Sequence, residues 1–182
     1  MSKKPSDPRP RPRIARSRLM VAVCRDIDHE LRCAREFGLG AEVQTFSLPH
    51  ILAGDFSRDL ARMAKRLEAV PGPIGCHGPF IDTTHFSQEL EVRAVARMRY
   101  LQAIDIAEAV GARYVLFHSQ YNPLIKIRAY ADIYHEGSMA FWPEILAEAK
   151  RRRLDVYLEN MFDDTPAPLC RLARALDAPN LK

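Results

Sequence analysis

The sequence predicts an α/β fold, a partial TIM (β/α) barrel of about five βα units of the usual eight, with parallel strands. Three observations carry this expectation. Short β-branched or apolar runs alternate with amphipathic helical stretches at a spacing of about 20–40 residues, which calls for parallel strands joined by helical crossovers. The turn after the first run, Cys24-Arg25-Asp26-Ile27-Asp28, contains no glycine, so it lacks the GxGxxG or GxxxxGK[ST] signature of an open nucleotide-binding sheet. Polar residues of metal-ligating type also stand at successive strand ends, and a β/α barrel gathers those ends at one mouth.

The first strand is read at Leu19–Cys24, followed by a helix capped by Asp26 or Asp28, with Leu31, Ala34 and Phe37 on one face and Gly38 and Gly40 as its stop. The second strand spans Ala41–Phe46, and its helix runs from about Asp55 with Phe56, Leu60, Met63, Ala64 and Leu67 at helical spacing. A Pro71-Gly72-Pro73 turn leads to the short third strand, Ile74–His77. The loop Gly78–His85 follows, then a long helix capped by Ser87 and ending at Gly111. Tyr114–His118 is the fourth strand. Its helix is expected to open near Trp142-Pro143, where proline is tolerated in a first turn, and to close with Lys150–Arg153 near the negative end of the dipole. The fifth strand is Leu154–Glu159, and Thr165-Pro166 opens the fifth helix through Leu169, Leu172 and Leu176. Ala178–Lys182 looks like the approach to a sixth strand. A complete barrel needs about 250 residues, so a C-terminally incomplete barrel with open edges is expected, and open edges invite pairing with a second copy.

The chain has 182 residues with 27 Lys+Arg, 23 Asp+Glu and a net charge of +4. Seven of the basic residues and one acid lie in residues 1–18, so residues 19–182 hold 20 basic and 22 acidic residues, a net of −2. The expected division is a disordered, basic, Pro/Arg-rich tail over 1–18 and one domain over 19–182. A body without net basicity disfavours a nucleic-acid partner. No apolar run approaches the ~18–20 residues needed to span a bilayer, and no apolar signal core begins the chain. Cys24, Cys33, Cys76 and Cys170 form no CxxC pair and read as reduced core-type residues of a cytoplasmic protein.

His77 ends the third strand, His118 the fourth and Glu159 the fifth. Two imidazoles and a carboxylate suit a divalent ion, with Mn, Zn, Co and Mg all open. Glu42 on the second strand is either a hydrogen-bond acceptor behind the site or a partner of an arginine. Asn160 could orient Glu159, bind a substrate hydroxyl or satisfy local backbone, and Asn122 and Asp82 are substrate-contact candidates by the position of their loops alone, against the plainer reading of loop polarity. An unpaired carboxylate at the end of an apolar strand is costly, which singles out Glu159. His29, His50 and His135 read as surface residues, and the Tyr121, Tyr130, Tyr134 and Trp142 group as aromatic packing of a long loop.

The segments Cys76-His77-Gly78-Pro79-Phe80, Val115-Leu116-Phe117-His118 and Val156-Tyr157-Leu158-Glu159-Asn160 resemble the third, fourth and fifth strand ends of the xylose-isomerase-like TIM-barrel superfamily. Gly40–Phe46 resembles its second strand, where an acidic residue is common. The likeness covers roughly residues 19–182, and the superfamily includes sugar-phosphate isomerases and epimerases and endonuclease IV. For the sugar branch, the resemblance implies that Glu159 is a metal ligand and shares in proton transfer. The branch's remaining Asp, His and Glu ligands, from strands six to eight, fall beyond Lys182. For the endonuclease IV branch it implies that His77, His118 and Glu159 are all zinc ligands. The expected function is a divalent-metal-dependent isomerase or epimerase acting on a small sugar or sugar phosphate through an enediolate-type proton transfer. The alternatives are a metal-dependent phosphodiesterase acting on abasic DNA, and a non-catalytic fragment or assembly module.

Overall fold

The computed structural model describes residues 19–182, and the basic tail expected over residues 1–18 lies outside the described residues. The elements run β1 (Met20–Val23), α1 (Ile27–Phe37), β2 (Gly40–Val43), α2 (Pro49–Leu52), α3 (Ser57–Leu67), β3 (Ile74–His77), α4 (Leu90–Ala109), β4 (Tyr114–His118), α5 (Tyr130–Arg151), β5 (Asp155–Glu159) and α6 (Ala167–Leu176). The five strands form one sheet in the order β1-β2-β3-β4-β5, every neighbouring pair parallel. An order without a reversal is that of a barrel wall, because a doubly wound sheet changes direction at a switch point. After α6 the chain returns to the sheet. Val156 N donates to Asn180 O at 2.7 Å, Lys182 N to Val156 O at 2.8 Å, and Leu181 bridges Val156 in parallel. The segment read as the approach to a sixth strand therefore already pairs with β5.

Side chains alternate between two faces of this sheet. One face packs on the helices. Val23, Ala41, Val43, Val115, Phe117 and Val156 are fully buried there, joined by Cys76, and face Leu31, Tyr100, Ile104, Trp142 and Ile145. The Tyr100 ring stacks on Phe117 with centroids 4.2 Å apart, and Trp142 meets the Phe117 ring edge-on. Burial of these large rings adds to the sheet-to-helix cohesion. The other face holds Ala22, Glu42, Tyr114, Leu116, Tyr157 and Glu159, all half-buried or exposed.

Local signals account for both ends of α1 and the start of α6. Asp26 caps α1 by accepting from His29 N at 3.0 Å, and Glu30 reaches back to the Cys24, Arg25 and Asp26 amides, a reciprocal cap. Gly38, at φ 66°, closes α1, and Thr165 Oγ1 accepts from Ala167 N at the start of α6. The largest departure from expectation is α5, which begins at Tyr130 and carries Pro143 in its interior. Tyr130, Tyr134, Ser138 and Trp142 are buried at successive four-residue steps. Packing of that stripe outweighs the one backbone donor that Pro143 withholds. The short α2 is also absent from the sequence reading. Of the four cysteines, all free, only Cys76 is in the core, while Cys24 and Cys170 are exposed. No helix among the described residues is long and apolar enough to cross a membrane.

Candidate metal centre

The site forms where β3, β4 and β5 end together. Parallel register places His118 beside Glu159 and sets His77 opposite Leu116, one side-chain layer below. The ligating atoms of His77, His118 and Glu159 all lie within 4.8 Å of one another. His118 Nε2 is 3.2 Å from Glu159 Oε2, and the two imidazoles meet edge-to-face with centroids 4.9 Å apart. Both histidines are buried. Glu159 is half exposed, because the inner face of the sheet is open at this point. Glu159 therefore keeps much of its hydration and incurs little of the desolvation cost expected from the sequence, although it stands at the strand end where it was expected.

The protonation pattern suits a metal ion. His77 Nδ1 lies 2.8 Å from the Gly78 carbonyl oxygen. A carbonyl only accepts, so Nδ1 carries the hydrogen and Nε2 keeps the lone pair that a metal takes. Burial holds the His118 pKa below its ordinary value, and the neighbouring His77 adds to this against the opposing pull of Glu159. The contact between His118 and Glu159 is accordingly a hydrogen bond from a neutral imidazole to a carboxylate. Two imidazoles and one carboxylate form a borderline donor set fitted to zinc and its neighbours. Donors around such an ion, bound at about 2.1 Å, are roughly 3.4 Å apart, so small side-chain rotations suffice to gather these three.

The surrounding loops fix the imidazoles. Phe80 packs its ring against both His77 and His118, with centroids 5.4 and 5.3 Å away. Gly78 permits the turn between β3 and Phe80, since a Cβ there would lie 2.3 Å from the Phe117 ring. Beyond β4, Ser119 N donates to Glu159 O at 2.9 Å, and Ser119 Oγ donates to Asp163 Oδ2 at 2.6 Å. Gln120, in the left-handed region at φ 60°, donates from Nε2 to the Phe80 carbonyl at 3.1 Å.

The other residues singled out from sequence are distributed differently. Glu42 is on the same inner face, level with Gly75 and a layer below His77. It accepts from Tyr114 Oη at 2.7 Å and from Gln44 Nε2 at 3.0 Å, with no arginine among its hydrogen-bond partners in the described residues. Tyr114 reaches it from β4 across β3, past Gly75, where a Cβ would lie 2.2 Å from the phenol ring. Burial, then the bond to the Glu42 carboxylate, raises the Tyr114 pKa. Asn122 is turned into its own loop, accepting from Leu124 N at 3.0 Å, and is not joined to the cluster. Asn160 is exposed, as are Asp82, His29 and His50. His135 is half-buried, with a buried Nδ1. Phe80, Ser119, Gln120 and Asp163 had no role in the sequence reading. Only the four-residue interval from Glu159 to Asp163 hinted at a second carboxylate near the mouth.

No family model and no curated protein matches this sequence. Solved structures do, each covering 90% of this chain. A Thermus thermophilus protein soaked with zinc chloride matches at 25% identity and TM-score 0.72 over 63% of its own chain. A D-tagatose 3-epimerase-like protein matches at 21% and 0.67 over 62%. The IOLI protein with a bound zinc atom matches at 11% and 0.70 over 60%. The chain thus spans a little over three-fifths of the length of these proteins, and sugar epimerases recur among the matches, beside a xylose isomerase domain protein. With its unreversed parallel sheet and its strand-end cluster, the described part of the chain has the fold of about three-fifths of a β/α barrel of the kind these solved structures share, a xylose isomerase domain protein among them.

Proposed function

We propose that this chain provides half of the active-site mouth of a divalent-metal-dependent isomerase or epimerase acting on a small sugar or sugar phosphate. The observation that carries the reading is the convergence of His77, His118 and Glu159 within 4.8 Å at three adjacent strand ends. These residues would hold the ion. When bound, it would polarise vicinal carbonyl and hydroxyl oxygens of the sugar. His77 offers Nε2 while the Gly78 carbonyl keeps its Nδ1–H in place. His118, a neutral ring, would hold the ion through Nε2 with its single hydrogen on Nδ1, in place of its hydrogen bond to Glu159. Glu159, half open to solvent, is the carboxylate placed to accept or return a proton at a sugar carbon beside a carbonyl. Glu42 is already occupied by Tyr114 and Gln44 and serves as a polar floor below the ligands. The structures of sugar-converting proteins among the matches support a carbohydrate substrate, and four free cysteines accord with a reducing, cytoplasmic setting.

The test is exchange of substrate C–H hydrogen with solvent. The chain, loaded with Mn or Zn and incubated with a panel of ketoses, aldoses and their phosphates in D2O, is expected to introduce deuterium beside the carbonyl of one sugar class. Glu159→Gln should abolish the exchange. A metal-loaded chain that exchanges with no sugar contradicts the activity. A second reading has one feature in its favour, since the resemblance to the endonuclease IV branch implies both histidines as ligands together with the glutamate. The net charge of −2 on the body counts against it, and incision of an abasic-site duplex would decide for it.

A further inference from the structure

Gln120 is one of four non-glycine residues with positive φ among the described residues, and it stands two positions beyond the strand-end histidine of β4. A side chain with a Cβ is held in this region only where the surroundings over-determine it. Here the restraint is visible. The Gln120 amide spans from the loop after β4 to the loop after β3 and donates to the backbone carbonyl of Phe80 at 3.1 Å. The Phe80 ring, in turn, is the aromatic surface against which both His77 and His118 rest. We infer that Gln120 is a positioning residue, acting through Phe80 to keep the two imidazoles in the orientation that metal binding requires. The inference rests on the metal reading of the cluster. A glycine at 120 would adopt the same backbone without strain but could not hold Phe80. The presence of glutamine at this dihedral is therefore accounted for by what its amide holds.

The inference is tested in the 182-residue chain with Gln120→Gly, which removes the amide and relieves the backbone, and Gln120→Met, which keeps the length and removes the donor. Zinc affinity is measured by titration, unfolding midpoint by denaturant, and the Phe80-to-imidazole proton contacts by NMR on the metal-free chain. Both variants are expected to bind zinc about tenfold more weakly, the usual scale for a residue that supports a ligand from behind, and to lose the Phe80 contacts to His77 and His118. Gln120→Gly should show no fall in midpoint, which a purely structural role would require. Wild-type zinc affinity in both variants overturns the inference. If the unsubstituted chain binds no zinc, the metal reading itself fails. The NMR contacts then decide the positioning role alone, their loss in both variants upholding it and their retention overturning it.

Discussion

The two faces of the sheet use the same strands for opposite purposes. Toward the helices, Val23, Ala41, Val43, Val115, Phe117 and Val156 are fully buried, and their neighbours are aromatic and aliphatic. Toward the barrel interior, the residues between them in sequence are Ala22, Glu42, Gly75, Tyr114, Leu116, Tyr157 and, at the rim, His118 and Glu159. Tyr157 is 40% exposed and lies only one residue from the fully buried Val156. The apolar face holds the fold together and leaves the opposite face free to place polar groups. A period of two lets one five-residue strand do both. Chemistry-bearing groups can therefore be exchanged on the inner face at small cost, while the outer face tolerates little.

That contrast can be broken from its strong side first. Phe117→Ala removes the ring stacked on Tyr100 and bordering Trp142, and is expected to lower the unfolding free energy by about 3–5 kcal/mol in denaturant titration. The helical side also contains a titrating group. His85 is fully buried among aromatic rings, with Nε2 2.9 Å from Ser138 Oγ, and burial pushes its pKa from 6.5 down to about 3. Between those values the unfolded chain holds a proton that the folded chain does not. Stability is complete above pH 6.5 and falls as the pH drops toward 3, by up to about 1.4 kcal/mol per pH unit from His85 alone. Urea unfolding at several pH values should show this slope, and His85→Gln should flatten it. On the inner face the effects shrink. Tyr114→Phe removes one of two partners of a half-buried carboxylate and is expected to cost about 1 kcal/mol. Tyr157→Ser, at an exposed position, should change stability by less still. An inner-face substitution as costly as Phe117→Ala would show that the division between the faces is wrong.

The division was partly legible in the sequence. Strand positions, glycine stops and the polar residues at strand ends follow from local pattern, which is why His77, His118 and Glu159 could be named together before any coordinates. What local pattern does not encode is the partner across the sheet. Tyr114 and Glu42 are 72 positions apart, and they meet because Gly75 leaves the space between them open. The start of α5 was obscured by Pro143, a strong helix signal at a first turn, although the four-residue repeat of Tyr130, Tyr134, Ser138 and Trp142 was the better guide. Asn122 was placed near the mouth by its loop alone, whereas its side chain caps that loop. Gln120 carries no sequence mark, because a left-handed backbone is announced only when the residue is glycine or asparagine.

Everything proposed for the site depends on three strand ends of this chain holding one divalent ion. The most direct measurement is the stoichiometry of Zn and Mn binding to the purified chain and to Glu159→Gln, with the unfolding midpoint of both metal-free forms as control. About one ion per chain is expected, with an affinity weakened by about a hundredfold in the variant and matching midpoints, since Glu159 is half exposed. A folded chain that binds neither metal, or a variant that binds as tightly as the unsubstituted chain, would contradict it.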